Sequence, residues 1–159
     1  MPKVMKRRRG TAIVETTGGI LLTSEHGNVF ILPGGGAERG ESRFVAALRE
    51  LTEETGLLPY YARIIFRHKG GVSKTFSGQH LFQDHHTVCL VRATGTPKPG
   101  GGDCKHIAYY FPGCHVRISH TTREIIEKYY LWKVKEAEVA GDLIDDSEDE
   151  IAPDGLMDD

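Results

Sequence analysis

Three glutamates set the range of chemistry open to this chain. Glu50, Glu53 and Glu54 stand three and four positions apart, so on a helix they share one face at neighbouring heights. Like charges at that spacing destabilise a bare helix by about 0.2–0.5 kcal/mol per pair. A hard divalent cation reverses the sign, because Mg²⁺ and Mn²⁺ take carboxylate oxygens and water as ligands. Arg49 can pair with Glu53 or with Glu41 and fix carboxylate directions from behind. Ala46 adds no bulk beside Glu50. Such a face leaves room for a metal ion and a substrate.

A helix must hold these side chains, and the stretch Gly35 to Leu57, GGAERGESRFVAALRELTEETGL, supplies its signals. Ser42 is a good N-cap, since its hydroxyl can accept from a free first-turn N–H. Gly56 suits the left-handed residue that ends many helices. Phe44, Ala47, Leu48, Leu51 and Thr55 recur at helical spacing and form one stripe for burial. Before the helix, Gly34, Gly35 and Gly36 allow bends and close backbone approach.

Gly35, then Glu41, then Arg49-Glu50-Leu51-Thr52-Glu53-Glu54-Thr55-Gly56-Leu57 resembles the Nudix box at every defined position. The resemblance implies an α+β fold, an α/β/α sandwich around a mixed sheet. It implies Mg²⁺- or Mn²⁺-dependent hydrolysis of a pyrophosphate bond in a nucleoside diphosphate joined to another group. Glu50 and Glu54 would be the principal metal ligands and Glu53 a third ligand or the general base. Arg49 and Glu41 would orient them, and Gly34 would add its carbonyl to the metal. Asp103, just before a strand, is the matching candidate for an extra acid outside the box, so the base stays open between Glu53 and such an acid.

Family subtypes are partly marked by a proline or a tyrosine shortly after the box; Val72 to Thr75 holds neither. That absence favours a nucleoside triphosphate, oxidised forms included, cleaved to monophosphate and pyrophosphate. Dinucleoside polyphosphates, ADP-ribose and inositol pyrophosphates are the alternatives. A nucleotide-binding module without catalysis is the reading from another class, and the complete set of box glutamates speaks against it.

The 159 residues suit one domain, and 39% hydrophobic with 26% charged residues fits a globular protein. No apolar run approaches the roughly 20 residues of a membrane span, and no signal-peptide core opens the chain. Cys89, Cys104 and Cys114 are odd in number and scattered, which argues against a disulfide framework and for a reducing cytoplasm. The net charge of −2 hides a split: residues 138–159 carry ten acidic residues and no Lys or Arg, leaving 1–137 at +8. A basic catalytic body over 1–137 suits a nucleotide polyphosphate partner, and the acidic tail is expected to be disordered.

Along the chain, the basic residues 1–9 read as a frayed terminus entering the first strand rather than a nucleic-acid arm. Strands are expected at Thr11–Glu15, Ile20–Thr23, Val29–Leu32, Tyr61–His68, His86–Arg92 and Lys105–Phe111. Lys69–Gly78 reads as a polar loop able to lie over a substrate, and Thr94–Gly102 as a Pro/Gly loop. A second helix begins near Thr121, with Glu124 completing a capping box and Trp132 on the core stripe. His80, Asp84, His85 and His86 read as a polar strand entry rather than a metal site, and Cys104, His106, Cys114 and His115 fit no common zinc spacing.

Overall fold

The computed structural model describes residues 3–151, with side chains described through Gly141. It is an α+β protein with a mixed sheet and two helices. Its elements are β1 (Val4–Ile13), β2 (Glu15–Thr16), β3 (Gly19–Ser24), β4 (Gly34–Gly36), α1 (Arg43–Thr55), β5 (Leu58–Lys74), β6 (Leu81–Thr94), β7 (His106–Tyr110) and α2 (His120–Ile151). Four strands form the mixed sheet, in the order β4-β1-β6-β5, and β2-β3-β7 form an antiparallel one. β1 lies parallel to β6, from Val4 beside Leu81 to Ile13 beside Leu90.

The buried stripe of α1 explains its seat. Ala47 and Leu51 are fully buried with Ala12 of β1, Leu21 of β3 and Cys89 and Val91 of β6, and Phe44 and Leu48 pack at the edge. Helix and sheet approach so closely at Gly10 that a Cβ there would collide with the Arg43 carbonyl and the Ala47 backbone.

The amino-terminal segment is not frayed: β1 starts at Val4. In a strand, alternate residues face opposite ways, which separates Arg8 from Arg7 and Arg9. Arg7 forms two hydrogen bonds to Asp84, at 2.7 and 3.1 Å, and lies 3.8 Å over the Phe82 ring. Arg8 donates to the Glu41 carbonyl at 2.7 Å.

The substrate-covering loop expected at Lys69–Gly78 is largely strand. β5 continues to Lys74 paired with Leu81, and only a tight turn connects the two strands, with Thr75 N–H donating to the His80 carbonyl at 2.8 Å. Polar side chains are no obstacle on an edge strand, whose outer face meets water. Val29–Leu32 makes only isolated bridges, Thr23 to Ile31 and Phe30 to Ile118.

The chain divides into two compact units, one through Arg123 and one from Glu124. The cap of α2 sits earlier than expected: Ser119 Oγ accepts from Thr122 N–H at 3.2 Å. In the second unit Ile125, Ile126 and Tyr129 are buried. Trp132, half-buried, stacks on Tyr129 with ring centroids 5.9 Å apart. The backbone of 138–151 continues as helix where disorder is expected from its charge. Lys135, Glu136, Ala137, Glu138 and Ala140 are strong helix formers and no proline intervenes before Pro153. Residues 152–159 of the acidic tail lie outside the described residues. Among the described residues no helix is long and apolar enough to cross a membrane.

His86 gives the fold a pH dependence. Its Nδ1 sits 2.8 Å from Thr11 Oγ1, and burial, then Arg9, push its pKa down to about 4. The unfolded chain therefore takes up a proton near pH 6.5 that the folded chain refuses until about pH 4. His86 thus removes about 3 kcal/mol of stability as pH falls through that window. Urea unfolding of Glu54→Gln, which lacks the opposing carboxyl, should show the loss between pH 7 and pH 5, and adding His86→Gln should abolish it.

Candidate active site

Both expected helix caps are present and set where the glutamates begin and end. Ser42 Oγ accepts from Val45 N–H at 3.1 Å, and Gly56, with φ 76°, donates to the Thr52 carbonyl at 2.8 Å. Left-handed backbone of that kind is strained for any residue with a Cβ.

Arg49 gathers three of the sequence-predicted residues. Its Nε and Nη2 bind the two carboxylate oxygens of Glu41 at 2.8 and 3.0 Å. Its Nη1 reaches Glu50 at 2.9 Å and Glu53 at 3.2 Å, and Nη2 also donates to the Gly36 carbonyl at 3.2 Å. This arrangement needs the planar fork of a guanidinium. The Arg49 pair and the Glu38 N–H hold the Glu41 carboxyl down at about 2, and Glu41 in turn raises the Arg49 pKa.

Arg49→Lys keeps the charge and loses the fork. The Glu41 carboxyl should then titrate nearer its ordinary range in carbon-detected NMR. Mn²⁺ affinity, read by electron paramagnetic resonance, should weaken about 10–100-fold, as is usual when a residue orienting metal ligands is lost.

Glu54 is placed differently. Gly34 N–H donates to its Oε1 at 2.9 Å. Burial foremost, then Glu50 and Asp103, push the Glu54 carboxyl up to about 7 against the pull of the Gly34 N–H and Arg9. Glu50, Glu54 and Asp103 line one cavity of about 580 Å³ together with Gly34, Gly35, Gly36 and Arg9. A Cβ on Gly35 would come within 2.5 Å of the Glu50 carboxyl carbon, so any larger residue there would push that carboxylate aside. Glu53, half exposed, lies on a neighbouring opening with Glu50, Glu54 and Asp103.

The donor set fits a hard divalent cation: carboxylates crowd one cavity, and burial foremost disfavours one of them as an anion, which a cation beside it would offset. Among the described residues no three His, Cys, Asp or Glu side chains form a ready-made cage.

Two contributors escape the sequence reading. Arg9 enters the carboxylate cavity because strand alternation puts it opposite Arg8; the arginine run was the visible signal. The Pro/Gly loop does more than connect. Lys98 N–H donates to the Thr55 carbonyl at 3.0 Å and Gly100 N–H to the Glu54 carbonyl at 2.7 Å. These bonds satisfy the last carbonyls of α1 and bring Asp103 beside Glu54. None of the residues of the other polar clusters lines this cavity. Asp84 is engaged by Arg7 and lies 3.9 Å from Arg9, and Cys104 Sγ lies 3.8 Å from the His106 carbonyl. All three cysteines are free thiols.

The family model for the NUDIX domain matches residues 5–129. An RNA pyrophosphohydrolase of Acinetobacter baylyi is 33% identical over 82 residues, 45% of this chain; the match spans about half, 49%, of that relative's length. An ADP-ribose pyrophosphatase of Methanocaldococcus jannaschii is 29% identical over 76% of this chain and 71% of its own. Among solved structures, a Chromobacterium violaceum protein assigned to the nudix hydrolase family superposes with a TM-score of 0.67 and 30% identity, over 89% of this chain and 92% of that one.

Proposed function

The chain belongs to the NUDIX domain family, and on that footing we propose that it hydrolyses a pyrophosphate bond in a nucleoside diphosphate joined to another group, nucleoside triphosphates first. The observation that carries this reading is the cavity shared by Glu50, Glu54, Asp103 and Arg9, backed by the Arg49 clamp on Glu41, Glu50 and Glu53. Glu50, Glu53, Glu54 and Gly34 would hold Mg²⁺ or Mn²⁺. When bound, the cation neutralises phosphate oxygens and the charge that develops on them.

The chain's own residues do the rest. Arg9 offers a cation to a phosphate entering the cavity. Arg49 keeps Glu50 and Glu53 from splaying apart. Glu53, half exposed, and Asp103, exposed, are the acids with access to a water, and one of them takes its proton. Phosphoryl transfer needs positioning and charge neutralisation more than covalent chemistry, which is what this arrangement supplies. Three free thiols suit a reducing cytoplasm. ADP-ribose is the second reading, favoured by the M. jannaschii relative, which aligns with three quarters of the chain (76%).

Purified protein with Mg²⁺ should be given triphosphates, ADP-ribose, dinucleoside polyphosphates, inositol pyrophosphates and 5′-triphosphorylated RNA in ¹⁸O-water. The expected products from a triphosphate are labelled monophosphate or pyrophosphate. Release of inorganic phosphate alone would end the triphosphate reading. Nucleotide binding without turnover of any substrate would make the chain a binding module.

A further inference from the structure

A second, smaller cavity opens away from the box carboxylates. It has a volume of about 200 Å³ and is lined by Arg43, Arg67, His68, Lys69, His85 and His86. Its residues come from the first turn of α1 and from the β5–β6 pair, where Lys69 stands opposite His85 and Arg67 opposite Thr87. None of these lining residues is acidic. Asp84, next in sequence to His85, is held by Arg7 at 2.7 Å and 3.1 Å and lies 3.9 Å from Arg9; its charge still reaches His85 and His86, and it is outweighed there by burial and the surrounding cations.

Arg43 is fixed at this cavity rather than waving in solvent. Its Nη1 donates to the His85 carbonyl at 3.2 Å, leaving further N–H groups on the same fork. The first turn of α1 carries no acidic residue to offset its positive end. The field is visible at His85, where burial, then Lys6, Lys69 and Arg43, lower the affinity for a proton. Arg43 and Lys69 bring two cations to one small cavity, and an anion held between them would be attracted by both. A planar fork beside an ammonium group matches a tetrahedral oxyanion.

We propose that this cavity is a phosphate-binding site separate from the hydrolytic one, taking either inorganic pyrophosphate or a phosphate carried by the substrate. The assignment does not depend on which substrate is cleaved, nor on catalysis.

Calorimetric titration of the full chain with inorganic pyrophosphate in EDTA tests it, since without metal the carboxylate cavity repels anions. Wild type should show saturable binding, Glu54→Gln should bind as wild type does, and Arg67→Ala/Lys69→Ala should bind at least tenfold more weakly. Lys69→Gln alone, at an exposed position, is the second variant should the double one be unstable, and it should weaken binding several-fold. Equal affinity in wild type and these variants, no binding by wild type, or loss of binding in Glu54→Gln would each overturn the proposal. The source follows from kinetics on a nucleoside triphosphate. A raised KM at unchanged kcat in Lys69→Gln marks a substrate phosphate, and unchanged constants mark the free anion.

Discussion

Glu54→Gln should lower kcat at least about 100-fold while leaving the melting temperature where it was or higher. Loss of one charge-stabilising group at a reacting centre commonly has an effect of that size. Gln retains an oxygen for the Gly34 N–H bond of 2.9 Å and is nearly as good a helix former. It removes a buried carboxylate whose charge Glu50 and Asp103 oppose. Weakened Mn²⁺ binding should accompany the kinetic loss. Activity within a few-fold of wild type at saturating Mg²⁺ would take Glu54 out of the site.

The same variant should change the pH profile of stability in metal-free protein. A carboxyl raised to about 7 in the fold binds its proton more tightly there than in the unfolded chain. Glu54 therefore adds stability as pH falls from about 7 towards its ordinary 4.5, by about 3 kcal/mol. His86 acts in the opposite sense between pH 6.5 and about 4. The two slopes partly cancel in wild type. Glu54→Gln exposes the His86 slope and His86→Gln the Glu54 slope, which equilibrium unfolding in EDTA can resolve.

Gly10→Ala should be the most damaging small substitution in the core. The added carbon would meet the Arg43 carbonyl and the Ala47 N–H, and would lie 2.9 Å from Ala47 Cα, all backbone atoms of α1. Neither element can yield, because Ala12 and Ala47 are wholly buried on the same contact. Overpacking commonly costs 1–3 kcal/mol, and a clash against backbone belongs at the upper end, about 3. For a chain of this size that lowers the melting temperature by roughly 6–12 °C. Gly71→Ala, where a Cβ meets nothing within 4 Å, is the matched control. A melting temperature for Gly10→Ala within about 2 °C of wild type would show that α1 can slide on the sheet.

The helix that carries the glutamates was legible because its signals are local. Ser42, Gly56 and the stripe through Ala47 and Leu51 each act within a few residues, and each is where the spacing put it. The clustering of Arg49, Glu41 and Glu50 followed from the box and not from periodicity. What escaped was long-range. The pairing of Lys69–Lys74 depends on β6 rather than on its own polar sequence. Arg9 reaches the carboxylate cavity only because β1 begins at Val4, and no periodicity in KRRR announces a strand. Likewise, a Pro/Gly-rich composition says loop, but nothing in it says that the loop will bind the end of a helix far back in the chain, at Glu54 and Thr55.

The parallel pairing of β1 with β6 has a consequence for how the chain is made. Val4 and Leu81 are partners 77 positions apart. At roughly 5–20 residues per second on the ribosome, β1 waits about 4–15 seconds for its neighbour. Throughout that wait the edge that β6 will cover is open to strands of other chains. Lys6, Arg7, Arg8 and Arg9 give the waiting segment a block of like charge, and charge of that kind guards an unpaired strand against aggregation. The arginines that later bind Asp84 and face the box carboxylates thus serve first as a safeguard on the nascent chain.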